Sequence, residues 1–166
     1  MKRVLLAVAA GSLLLVPPCG TAQMVKPETV VQVRVEPARV ELAAGGAAAE
    51  FTLVAIIQEG FHINSNKPAQ DYLIPTRVEL AEAAGFELEK VEFPAGALKS
   101  FGFAPDEKLS VYEGTVKMRA RLRAKSAAAG AHTLRLVFHY QACNDQICLR
   151  PAQREVKLTV QVRPTP

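Results

Sequence analysis

The sequence has no tryptophan, only three cysteines among 166 residues, and an aromatic content of 6%. Without tryptophan, the Cys–Trp–Cys core of antibody-type immunoglobulin domains cannot form. The net charge is only +4, and basic residues are scattered among acidic ones, so the composition does not predict a nucleic-acid-binding protein. The sequence also lacks a Gly-rich nucleotide loop, a serine or carboxylate constellation and a cofactor-binding motif. We therefore expect neither a nucleic-acid partner nor a cofactor.

The first 22 residues have the pattern of a secretory signal peptide. A basic start precedes an apolar run, 4–16, that is too short to span a bilayer comfortably, and small residues end at Ala22. We expect cleavage near Ala22 and export to the periplasm, an oxidising compartment. Cys19 would then be lost with the leader. A lipid anchor on Cys19 is the alternative, which two preceding prolines disfavour.

After a flexible lead-in, 23–29, we predict one domain, 30–163. Apolar and polar residues alternate along several segments, most clearly in 111–124, as in half-buried strands. No segment has a convincing helical period. About eight short strands separated by Pro and Gly predict an all-β antiparallel sandwich, with 111–124 as one strand bent near Gly114. The segment 94–107 is predicted to be a long connection, and such loops are often functional.

Cys143 and Cys148, with four residues between them, are the main chemical feature of the predicted domain. A closed loop of about 6 residues constrains the unfolded chain by only about 2 kcal/mol, against nearly 5 for about 100 residues. The pair is thus a weak covalent staple, which favours a redox role. A structural disulfide at a hairpin tip remains open. A metal site with His139 as third ligand is disfavoured, because structural zinc usually has four ligands, and we expect no metal.

The segment from Tyr140-Gln141-Ala142-Cys143 to Cys148-Leu149-Arg150-Pro151 resembles the N-terminal periplasmic domain of the thiol:disulfide interchange protein DsbD. Two further parts of the chain are similar to that family. They are Glu59–Asn66 with Asp71–Thr76, and Leu109–Gly114.

The resemblance implies an immunoglobulin-like sandwich whose cysteine pair relays reducing equivalents, as a protein-disulfide reductase does. Cys148 would form mixed disulfides and Cys143 would resolve them. The partners implied are periplasmic thioredoxin-fold proteins, including disulfide isomerases and cytochrome c maturation factors, with a separate membrane protein as electron donor. We expect a monomer. The alternative is a non-catalytic exported binding module in which the disulfide only clips a hairpin.

The resemblance also suggests residues that surround the cysteines. The family shields its pair with a loop that carries a phenylalanine, and Phe101 and Phe103 are the candidates here, although either could simply belong to the core. The family has aromatic residues on the early strand where this chain has His62 and Asn64. Tyr140, within the cysteine motif itself, is the remaining candidate.

Overall fold

The computed structural model describes residues 25–164, and the predicted leader lies outside them. The described residues form a 3-10 helix, Pro27–Thr29, and twelve strands. The strands are β1 (Val31–Glu36), β2 (Arg39–Ala43), β3 (Ala49–Ile57), β4 (His62–Asn64), β5 (Arg77–Leu80), β6 (Phe86–Glu92), β7 (Ala97–Phe101), β8 (Ala104–Tyr112), β9 (Thr115–Ala124), β10 (Gly130–Tyr140), β11 (Ala142–Cys143) and β12 (Ala152–Arg163). Within this part of the chain, no helix is long and apolar enough to cross a membrane.

Two four-stranded sheets pack face to face around the main core. Their strand orders are β1-β3-β9-β6 and β2-β12-β10-β5. In β9, Val116, Met118, Ala120 and Leu122 are buried, because every second side chain points into the core, while the basic residues between them face outward. Pairing is antiparallel except between β2 and β12, which run parallel. The predicted all-β, immunoglobulin-like sandwich is therefore confirmed.

A third sheet continues from the end of β10 and has the order β11-β4-β8-β7. It has a small core of its own, made by Leu73, Phe101, Leu109 and Val111. This sheet contains Cys143 in β11, so the cysteine pair lies beside the sandwich and outside its main core.

Three details of the sequence prediction are wrong. There are twelve strands instead of about eight. Most of the connection 94–107 belongs to a β-hairpin, in which β7 pairs with β8. Segment 111–124 is not one bent strand, because β8 ends at Tyr112 and the chain turns at Gly114, whose φ of 59° suits glycine. The following strand, β9, joins a different sheet.

Candidate active site around the cysteine pair

Cys143 and Cys148 form a disulfide across a tight hairpin, residues 142–149, which we call the cysteine hairpin. The two sulfur atoms are 2.03 Å apart and the two Cα atoms 3.9 Å apart, and the cysteines face each other in an antiparallel bridge. The amide of Leu149 donates to the carbonyl oxygen of Ala142 (2.8 Å), just outside the disulfide. The short loop thus curls back, as a disulfide at this spacing requires.

Asn144 organises the turn between the cysteines. Its Oδ1 accepts hydrogen bonds from the amides of Gln146 and Ile147, both at 2.9 Å, and its own amide donates to the carbonyl oxygen of Ile147. Asn is common in such turns because its short side chain replaces a backbone acceptor. The four residues between the cysteines therefore have a defined conformation in the oxidised protein.

The two cysteines differ in accessibility. Cys143 is 1% exposed, because β11 pairs with β4 inside the third sheet. Cys148 is exposed on the other side of the hairpin. An external thiolate attacks a sulfur atom that it can reach, so Cys148 is the accessible end of this disulfide.

Three stacked rings, His62, Phe101 and Phe103, lie beside the cysteine hairpin; we call them the aromatic stack. The centroids of His62 and Phe101 are 3.9 Å apart, and those of Phe101 and Phe103 are 5.6 Å apart with nearly parallel planes. Gly102 links the two phenylalanines, and a Cβ at Gly102 would lie 3.3 Å from the carbonyl oxygen of Asp145. The β7–β8 turn is thus in close contact with the cysteine hairpin.

His62 is the most buried member of this stack, with 2% of its surface exposed. Burial lowers the pKa of His62; the carboxylates of Glu113 and Asp145 act in the opposite direction, and the ammonium of Lys99 acts with burial. Lys99 also forms an ion pair with Glu113. The balance favours a neutral imidazole near pH 7.

Asn64 and Gln141 connect the third sheet to both arms of the cysteine hairpin. Asn64 Nδ2 donates to the carbonyl oxygen of Ile74 (3.0 Å) and lies 3.5 Å from Gln141 Oε1. Gln141 Nε2 donates to the carbonyl oxygen of Leu149 (3.1 Å), directly after Cys148. Sequence reasoning did not select Gln141 as a site residue, although its place in the Tyr-Gln-small-Cys motif could have indicated it.

The family model described as "Thiol:disulfide interchange protein DsbD, N-terminal" matches residues 22–160. The chain belongs to this family. A comparison with curated proteins gives no match.

Two solved structures are similar in fold to this member of the DsbD N-terminal family. The Neisseria meningitidis DsbD N-terminal domain, in its reduced form, is 19% identical to this chain, with a TM-score of 0.52; the match covers 83% of this chain and 91% of that one. The N-terminal periplasmic domain of ScsB from Proteus mirabilis is 12% identical, with a TM-score of 0.56, and the match covers 81% of this chain and 49% of that one. At these identities the likeness establishes the fold.

Tyr140 is the candidate that the structure separates from the aromatic stack. In this member of the DsbD N-terminal family, Tyr140 lies in the main core, and its hydroxyl donates to the carbonyl oxygen of Pro27 at 2.9 Å. Burial raises the pKa of Tyr140 to about 12. Pro27 begins the 3-10 helix within the predicted lead-in, so this part of the lead-in packs against the domain.

An apolar groove of about 600 Å³ lies beside Cys148. Its lining includes Val25, Pro27 and Phe61 on one side and Ile147 and Leu149, which flank Cys148, on the other. The side chain of Ile147 is largely exposed (57%). The two residues that flank Cys148 in this DsbD-family domain thus contribute to an apolar surface, and the buried centres of protein interfaces are formed by surfaces of this type. Between residues 25 and 164, no group of His, Cys, Asp and Glu side chains is placed to hold a metal ion.

Proposed function

We propose that the protein is a periplasmic thiol–disulfide exchange domain, which passes reducing equivalents through Cys143 and Cys148 to thioredoxin-fold proteins. The observation that supports this most is the unequal pair: a disulfide with one exposed and one buried cysteine, in a chain of the DsbD N-terminal family. A six-residue loop contributes little to stability, so its disulfide is better suited to exchange than to stapling the domain.

The proposed exchange has two steps, both of them thiolate attacks on a disulfide. In the reduced protein, the Cys148 thiolate attacks a partner disulfide; a Cys148–partner bond forms and one partner sulfur leaves as a thiolate. Cys143 then loses its proton and attacks the Cys148 sulfur, which releases the second partner sulfur. The partner gains two electrons and the domain returns to the disulfide form.

The trapping experiment tests the roles of the two sulfurs. A Cys143→Ala variant keeps the exposed thiol and lacks the resolving one, so it should accumulate a covalent adduct with an oxidised thioredoxin-fold protein. Cys148→Ala is the matched control and should give little adduct, because Cys143 is buried. Non-reducing electrophoresis followed by mass spectrometry identifies the bond. The proposal would be contradicted if both variants formed the adduct equally, or if neither variant formed it.

The reduction potential separates exchange from a merely structural clip, the alternative that the sequence left open. Structural disulfides of exported proteins typically have potentials below about −300 mV, whereas working couples are less negative. We expect a value above that limit from equilibration with glutathione or dithiothreitol buffers. A more negative potential, together with resistance to reduction by glutathione, would favour a non-catalytic binding module.

A further inference from the structure

His62 is directly opposite Cys143. The register of β4 and β11 pairs His62 with Cys143 and Ile63 with Ala142. Side chains of directly opposed residues project from the same face of a sheet, with Cβ atoms about 4.5–5.5 Å apart. Cys143 thus has two cross-strand neighbours, which are its disulfide partner Cys148 and the imidazole of His62.

The imidazole of His62 has an unused nitrogen. Nε2 is buried, and no residue in the range 25–164 provides it with a hydrogen-bond partner. Buried polar atoms are almost always paired, and an exception calls for an explanation such as a redox or catalytic role. Stacking on Phe101 restrains the plane of the ring.

Cys143 needs a proton acceptor in the exchange proposed above. Burial disfavours a thiolate, and Cys143 is 1% exposed. Only the thiolate is nucleophilic, so the resolving step requires that this proton is removed inside the protein. His62 is the titratable side chain that the sheet register places opposite this sulfur.

The charges around His62 suit proton transfer in both directions. Burial lowers its pKa, which leaves the resting imidazole neutral and able to accept a proton. Glu113 and Asp145 line one pocket together with His62 and favour its protonated form, while Lys99 on β7 opposes that form. The carboxylates can therefore stabilise an imidazolium for the duration of one step.

We propose that His62 takes the proton of the Cys143 thiol as Cys143 attacks the mixed disulfide. This inference rests on the proposed function. The S–H bond of Cys143 breaks and its proton moves to the imidazole of His62. The Cys143–Cys148 bond forms while the Cys148–partner bond breaks. The departing partner sulfur takes the electron pair of that bond, and the imidazolium then returns the proton to that sulfur or to water.

A stoichiometric reaction with 5,5′-dithiobis(2-nitrobenzoate) separates the two steps. We would use reduced protein produced from Gln23 onward, so that Cys19 is absent, with one equivalent of the reagent. The first release of coloured nitrothiobenzoate reports the attack by Cys148, and the second reports resolution by Cys143. Stopped-flow absorbance from pH 5.5 to 9 gives both rates. The variants are His62→Gln and His62→Phe, the second of which keeps a ring against Phe101.

We expect both variants to release the first nitrothiobenzoate at the normal rate and the second about tenfold or more slowly at pH 7, within the usual range of general-base effects. In the wild-type protein, the second rate should level off above the pKa of His62. In the variants the second rate should keep rising with pH, so that the difference between the variant rate and the wild-type rate becomes smaller. His132→Gln, on β10 against Phe86, is the matched control and should change neither phase.

An unchanged second phase in His62→Phe, or equal slowing of both phases, would overturn the role of His62. So would a wild-type second rate that keeps rising with pH as steeply as that of the variants. These outcomes differ from failure of the exchange function itself. The two-step exchange would be wrong, regardless of His62, if the wild-type protein gave no second release of nitrothiobenzoate. It would also be wrong if Cys143→Ala gave a second release.

Discussion

Replacing Phe101 with alanine tests whether this one side chain holds the β7–β8 hairpin to the domain. Phe101 is 8% exposed, packs with Leu73, Leu109 and Val111, and stacks on His62. Buried Phe→Ala substitutions typically cost about 3–5 kcal/mol of unfolding free energy. We expect about 3 kcal/mol here, since a four-residue core near the surface can partly collapse into the space. That loss corresponds to a fall of roughly 10 °C in Tm.

Phe103→Ala is the matched control on the other side of Gly102. Phe103 is 39% exposed, and its ring centroid lies 5.6 Å from that of Phe101 and 6.4 Å from that of His62, so it contributes mainly aromatic pairs. Such pairs are worth about 0.5–1.5 kcal/mol, and we expect a loss of about 1 kcal/mol. The difference between the two variants should therefore be about 2 kcal/mol.

Urea unfolding of both oxidised variants, followed by circular dichroism, measures these losses. The reasoning is refuted if Phe101→Ala costs less than Phe103→Ala, or if both cost under about 1 kcal/mol. The rate at which dithiothreitol reduces the disulfide is a second measurement. The disulfide of Phe101→Ala should be reduced faster than that of the wild-type protein, because loss of the ring opens the side of the cysteine hairpin that faces His62. An unchanged rate would mean that the stack does not restrict access to the disulfide.

Three other changes give distinct outcomes. Tyr140→Phe should cost about 1 kcal/mol at pH 8 through the lost hydrogen bond to Pro27, measured by urea unfolding. Because the pKa of Tyr140 is raised to about 12 from about 10 in the unfolded chain, only the unfolded chain loses this proton as pH rises between those values. Wild-type stability should therefore fall more steeply there than that of Tyr140→Phe, and equal slopes would contradict this. Gln141→Met removes the links to Asn64 and Leu149 and should lower the unfolding free energy by about 1–3 kcal/mol; a loss within error would show that these links are unimportant. Ile147→Asp should slow adduct formation with a thioredoxin-fold protein about tenfold in the Cys143→Ala background, while the rate with a small disulfide stays the same. If both rates fall equally, the groove does not bind the partner.

The strands that sequence patterns predicted well are those with one buried face. In β9, apolar and polar residues alternate without a break, so both the presence of the strand and the face that points into the core could be predicted. In β7, four of the five residues are exposed, and Leu98 is 65% exposed, so this edge strand has no apolar face to detect. The β8–β9 boundary was missed because Tyr112, Gly114 and Val116 keep one phase of alternation in the sequence. In the structure the buried positions change phase at this turn, from Leu109 and Val111 in β8 to Val116 and Met118 in β9.

Only part of the candidate site could be predicted from the sequence, because the rest is formed by contacts between distant parts of the chain. The local motif pointed to Cys143 and Cys148, and the spacing implied a curled loop. Which phenylalanine lies closer to His62 could not be predicted, since Phe101 and Phe103 flank the same glycine and only the structure shows that Phe101 enters the small core. The placement of His62 opposite Cys143 follows from strand register, which a single sequence does not fix for strands of two and three residues.

The attachment of Pro27 to Tyr140 has a practical consequence for handling the protein. Residues just before Pro27 line the same groove as Ile147 and Leu149, so an affinity tag or fluorophore fused there would crowd the groove beside the cysteine hairpin. Arg163 ends β12 beside the opposite end of β10, roughly 30 Å along the strand from Tyr140. Labels and surface-immobilisation chemistry belong at that end, where they leave the cysteine hairpin clear.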